Sequence, residues 1–76
     1  MYITITMKIL NCKIDIRVDK RQKIADVFAV LKNRQGLKNT PSPAFYKSLQ
    51  NKSLVSSFNT FEYENIYSGD ILEAIL

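Results

Sequence analysis

The sequence predicts an α+β domain: a mixed sheet of four to five strands with one helix packed across one face. Three observations lead there. Apolar and polar residues alternate over residues 2–7 and again over 13–18, the period of half-buried strands. Over residues 24–31 the apolar spacing changes to that of a helix with a single buried stripe. A last apolar strand, 71–76, follows the turn Ser68-Gly69-Asp70. One helix across a sheet is the packing solution for such an order of elements. The 76 residues suffice for one domain, 1–76. A chain of this size buries only about 60% of its unfolded surface, so its core is small.

Each element has a local reason. In YITITM, Ile3, Ile5 and Met7 share the inward face. In KIDIRV, Ile14, Ile16 and Val18 do, and the segment 8–12 with Asn11 must turn the chain between them, giving an antiparallel hairpin. Ile24, Val27, Phe28 and Leu31 then form one helical face, which places the helix at 23–35. Gly36 suits the left-handed position after a helix, and Lys32 and Arg34 suit its negative end. Asp19 is the available N-terminal cap, although Lys20, Arg21 and Lys23 stand unfavourably at the positive end of the helix dipole. Residues 37–43, with two prolines, are a loop. FYKSL (45–49) and SLV (53–55) are short strands around a turn; the inward side of the first is ambiguous, because Phe45 and Leu49 share a face with Lys47. Residues 58–66 form a crossover that buries Phe61 and Ile66. In the last strand Leu72, Ala74 and Leu76 face inward, and Ile71, Glu73 and Ile75 outward. The first and last strands are expected side by side and parallel at the centre. Ile5, Ile16, Val27, Leu31, Leu72 and Ala74 are the expected core.

Composition narrows the function. One cysteine, Cys12, permits no intrachain disulfide, and with no histidine a structural zinc site is not expected. The commonest general base near neutral pH is also missing. We therefore expect no enzyme and no cofactor. No apolar run approaches the length of a membrane span, and the alternating N-terminus is unlike a secretory signal, so a cytoplasmic protein is expected. Charge is uneven. Residues 1–38 hold nine of the eleven Lys and Arg against three acids; residues 39–76 hold Lys47 and Lys52 against four.

The order and spacing resemble the ubiquitin-like β-grasp superfamily. KIADVFAVLKNRQGL (23–37) follows the pattern of ubiquitin's helix, and TFEYENIYSGDILEAIL (60–76) follows its crossover and last strand. Within that superfamily MYITI, FYKSLQNKSLV (45–55) and the Ser68-Gly69-Asp70 turn with LEAIL resemble the YukD/EsaB family, small bacterial ubiquitin-like proteins associated with type VII (ESX-like) secretion systems. The hairpin loop at 8–12 is shorter than that family's. The resemblance implies a protein-binding accessory or regulatory component, with a secretion-system partner at the cytoplasmic side of the membrane. Ubiquitin and the sulfur carriers act through a flexible Gly-Gly tail. This sequence ends at Leu76, where such a tail would begin, so a domain that is not conjugated is expected.

Two surfaces are candidates. On the outward sheet face, Ile71 and Ile75 lie near Tyr46 and the hairpin residues Ile9 and Leu10, and exposed apolar clusters of this kind mark partner sites. That face resembles ubiquitin's recognition patch, with Ile75 and Tyr46 at comparable positions. The second is the basic edge Lys13, Arg17, Lys20, Arg21 and Lys23, which would serve an alternative role as a nucleic-acid-binding regulator. No Tyr or Phe is interleaved between residues 13 and 23 to stack on bases, so nucleic acid is the weaker partner, and solubility or attraction to an acidic surface is the plainer reading. Cys12, beside Lys13 in the expected loop, is a reactive thiol only if its pKa is lowered; a lone cysteine is more often inert.

Overall fold

The computed structural model describes residues 1–34 and 36–76. The elements are β1 (Tyr2–Ile9), β2 (Cys12–Asp19), α1 (Ile24–Arg34), β3 (Phe45–Ser48), β4 (Ser53–Ser56) and β5 (Ile71–Ile75). They form a five-stranded sheet in the order β2-β1-β5-β3-β4, with β1 and β5 parallel at the centre and the remaining pairs antiparallel. The ubiquitin-like α+β architecture read from the sequence is therefore present, with five strands and one helix.

The helix buries Ile24, Val27, Phe28 and Leu31, the stripe that its spacing dictates. Against it pack Ile3, Ile5, Met7 and Ile9 from β1, Ile14 and Val18 from β2, Tyr46, Val55 and Leu72, with Phe61 and Ile66 from the crossover and Leu37 from the loop. Ile16 and Ala74, expected in the core, are only partly buried at its margin, and Leu76, expected inward, is exposed. The hairpin is tighter than expected. Ile9 pairs with Cys12, so the turn is just Leu10-Asn11, and Leu10 adopts φ 54°. Cys12 is thus the first residue of β2 and lies partly buried against the core, outside the turn.

Among the described residues no side chain caps the start of the helix. The N–H of Ile24 donates to the Asn59 carbonyl at 3.1 Å, and that of Ala25 to the Ser57 carbonyl at 2.8 Å. The crossover backbone thus satisfies donors that a cap would otherwise take. Asp19 instead closes the preceding turn, accepting the Arg21 N–H at 3.0 Å. Lys23 lies outside the helix, in an isolated bridge with Thr60. At the far end Gly36 has φ 70°, the left-handed conformation its position called for. The expected last helical residue, 35, lies outside the described residues.

A buried carboxylate fixes the β3–β4 end. Asp70 accepts the Ser48 hydroxyl at 2.5 Å and the N–H groups of Gln50 and Ile71 at 3.0 and 2.7 Å. Ser48 Oγ in turn accepts the Asn51 N–H at 3.1 Å. One side chain thereby joins the start of β5, the end of β3 and the turn that follows it.

Candidate partner-binding face

Strand register decides which residues meet on the face away from the helix. β3 pairs with β5 as Phe45↔Ile75, Tyr46↔Ala74 and Lys47↔Glu73. Side chains alternate across a strand, so Phe45 and Lys47 share the outward face with Ile75 and Glu73. Tyr46 and Ser48 point toward the helix. On the other side Thr6 pairs with Ile71 and Lys8 with Glu73, where the ladder ends; Leu10 follows in the turn beyond β1.

The outward face therefore carries the apolar pair Ile75–Phe45, with Leu54 diagonal to Phe45 across β4 and Leu10 exposed in the turn at the end of β1. Leu10 is 62% exposed, Phe45 49% and Ile75 47%. Alongside runs a charged row in which Glu73 lies between Lys8 and Lys47 and pairs with Lys8 Nζ at 3.4 Å. Beyond it are Ile71, partly buried, and the exposed Leu49. A leucine at positive φ is uncommon and costs about 1–2 kcal/mol, so Leu10 is held in a conformation that glycine would adopt more easily.

Of the five residues expected on this face, Leu10, Ile71 and Ile75 are there. Ile9 and Tyr46 are not: both are fully buried on the helix side. Ile9 is inward because β1 continues its alternation two residues into the expected turn. Tyr46 is inward because the β3 register is fixed by Ser48, whose hydroxyl must reach Asp70. Phe45 takes the place assigned to Tyr46, and Leu54 joins it. Both faces of FYKS hold one aromatic and one polar residue, so hydropathy could not choose between them; the usable signal was Ser48 together with Asp70. Among the described residues the Tyr46 hydroxyl has no hydrogen-bond partner, and burial pushes its pKa above the ordinary tyrosine range.

The basic edge divides. Arg21 grips Asp19, its Nη2 donating to Oδ2 at 3.1 Å and its Nε to Oδ1 at 3.3 Å. These bonds and the Arg21 N–H hold the Asp19 carboxyl at about 2, below its ordinary 3.8, and the same contact raises the Arg21 pKa. Lys20 pairs with Glu62 at 3.6 Å. Arg17 lies over the Tyr2 ring at 5.0 Å from its centre, a stacking partner invisible to any search between residues 13 and 23. Among the described residues Lys13 and Lys23 make no ion pair. Among them too, no three His, Cys, Asp or Glu side chains gather as metal ligands, and no helix is long and apolar enough to cross a membrane.

No family model matches the chain, and no curated protein matches it. Solved structures do. A designed protein based on ubiquitin superposes with a TM-score of 0.73 at 20% identity, over 97% of this chain and 87% of that one. The EccD5 ubiquitin-like domain from Mycobacterium xenopi gives 0.64 at 13% identity, over 99% and 93%. The C-terminal ubiquitin-like domain of mouse tubulin-specific chaperone e gives 0.67 at 13%, over 96% and 84%. At these identities the likeness defines the fold, and the fold is that of ubiquitin.

Proposed function

We propose that this ubiquitin-like domain is a protein-binding accessory or regulatory component of a type VII (ESX-like) secretion system. It docks, through its outward sheet face, on a secretion-system protein at the cytoplasmic side of the membrane. The observation that carries the docking surface is the cross-strand pair Phe45–Ile75 with the turn residue Leu10: three large, exposed apolar side chains, one of them held at positive φ. The secretion context rests on the sequence resemblance to the YukD/EsaB family and is supported by the fold likeness to the EccD5 ubiquitin-like domain. The nucleic-acid alternative is the weaker, because Lys20 and Arg21, two of its five cations, already face acids.

The test returns variants to a strain lacking the gene and follows type VII export and crosslinks to the secretion machinery. Ile75→Glu should stay folded by circular dichroism and lose both, since a charge desolvated at the interface costs several kcal/mol. Leu10→Gly separates stability from binding: it relieves the backbone and should fold more stably, yet dock more weakly. Normal export without the gene would overturn the secretion role. Folded Ile75→Glu and Leu10→Gly proteins that support export as well as wild type would overturn the choice of face.

A further inference from the structure

We infer that the cavity between the start of β1 and the crossover binds a free apolar α-amino acid as its zwitterion. The cavity holds about 340 Å³, at the small end of the range for small-ligand sites. Its floor is the buried pair Ile3 and Ile66, and its walls are the exposed Met1 and Tyr67. Lys20, Glu62 and Asn65 complete the lining. Apolar surface with a few convergent polar groups is the usual composition of such a site.

The backbone fixes these residues relative to one another. The Lys20 N–H donates to the Met1 carbonyl at 3.1 Å, and the Glu62 N–H to the Lys20 carbonyl at 2.8 Å. The start of the chain, the turn after β2 and the crossover are thereby tied together around the cavity. Asn65 adopts φ 58°, a left-handed conformation that asparagine accepts more readily than most residues. Its N–H donates to the Glu62 carbonyl at 3.1 Å, and its carbonyl accepts Asn51 Nδ2 at 3.0 Å. Among the described residues its side-chain amide makes no hydrogen bond. The Asn65 backbone is pinned while its amide is left to meet a guest.

Charge selects the ligand. Lys20 Nζ lies 3.6 Å from Glu62 Oε1, close enough to pair and too far for a hydrogen bond. Each group therefore keeps hydrogen-bonding capacity for a guest. A ligand of one sign would be attracted by one member of the pair and repelled by the other. A zwitterion laid antiparallel over the pair satisfies both: its carboxylate faces Lys20, its ammonium faces Glu62, and the Asn65 amide serves either. The side chain on the α-carbon then lies over Ile3 and Ile66, between the adaptable Met1 and the Tyr67 ring. The interior of a peptide chain carries neither charge, so a free amino acid fits better than a protein segment. Partly exposed charges contribute little on their own, so apolar contact supplies most of the affinity and the ion pair supplies the selectivity. β1 and β5 run parallel, which puts Ile75 at the far end of the sheet from this cavity. The site stands independently of the outward face.

The test titrates the isotope-labelled chain near neutral pH with L-phenylalanine. Separate arms use N-acetyl-L-phenylalanine, which lacks the ammonium, L-phenylalaninamide, which lacks the carboxylate, and glycine, which lacks the side chain. L-Phenylalanine should shift the Ile3, Glu62, Asn65 and Ile66 amides saturably, with Kd about 1 mM. Each of the other three should bind about fivefold more weakly or worse. The double variant Lys20→Gln, Glu62→Gln keeps the net charge; folded by circular dichroism, it should lose the preference for phenylalanine over its two blocked derivatives. Ile75→Glu should leave the affinity unchanged. The inference is overturned by any of four results: no saturable shift at tens of millimolar phenylalanine, a blocked derivative or glycine that binds as well as phenylalanine, shifts centred on Phe45 and Ile75, or a folded double variant that retains the preference.

Discussion

At one end of the sheet, β1 and β2 pair over eight residues each and send Ile3, Ile5, Met7, Ile9, Ile14, Ile16 and Val18 toward the helix. At the other, β3 and β4 pair over four and send inward a tyrosine whose hydroxyl has no partner among the described residues, a serine and a valine. The first end is held by apolar area, which is non-directional and roughly proportional to the surface removed from water. The second has too little such area and relies on the hydrogen bonds that converge on Asp70. Periodic aliphatic burial tolerates small errors of placement, whereas a buried carboxylate requires each donor in position.

The comparison is broken or upheld most directly by removing each anchor. Phe28→Ala, under the hairpin and crossover alike, should cost about 3–5 kcal/mol. A domain of this size has only about 4–11 kcal/mol in all, so the variant should lie close to global unfolding. Asp70→Ala strands the Ser48 hydroxyl and two backbone donors and should cost about 3 kcal/mol. The distribution matters more than the sum. In native-state hydrogen exchange Phe28→Ala should lower protection everywhere, and Asp70→Ala chiefly over residues 46–55. Equal loss in the β1–β2 hairpin would mean that the two ends are one cooperative unit.

The same contrast explains what was legible in the sequence. The hairpin, the helical stripe and the parallel pairing of first and last strands follow from the period of apolar residues, and all three are in the fold. The outward face was legible only where that period holds. Ile71 and Ile75 were placed correctly from β5, but Tyr46 was placed on the wrong side, because the side of β3 is chosen by the Ser48–Asp70 bond, twenty-two residues apart in sequence. The helix start was obscured for a related reason: its donors go to the Asn59 and Ser57 carbonyls, which have no residue signature. Ile9 was lost to a turn shorter than expected, and Phe45 and Leu54 were missed with the register of β3.

A smaller effect tests whether the β3 end is a polar compromise. Tyr46 is fully buried, and its hydroxyl has no partner among the described residues. Tyr46→Phe keeps the ring and removes the unsatisfied group, and should stabilise by about 1 kcal/mol in denaturant titrations. The pH dependence follows from the raised pKa. The neutral phenol is favoured in the folded state, so its contribution is complete below the ordinary 10.0 and is lost as pH rises through the folded-state value. Wild type should therefore weaken above pH 10.0 more steeply than Tyr46→Phe. A destabilised Tyr46→Phe with an unchanged alkaline slope would show that the hydroxyl is satisfied.

The smallest effect lies at the seam where the hairpin meets the crossover. There the Glu62 N–H donates to the Lys20 carbonyl at 2.8 Å and the Phe61 N–H to that of Gln22 at 3.2 Å. Asp19 shapes this turn, accepting the Arg21 backbone N–H and both Nε and Nη2 of its side chain. Its carboxyl is held at about 2, chiefly by the Arg21 side chain, so the charged form is favoured in the folded state. The contribution is present above the ordinary 3.8 and is lost as pH falls toward 2. Asp19→Asn keeps an oxygen for the turn and removes the charge. Its deficit relative to wild type should be constant near neutral pH and shrink below 3.8, and added salt should narrow it as well. A deficit that persists unchanged down to pH 2 would assign the seam to turn geometry alone, extending to it the directional bonding of the β3–β4 end.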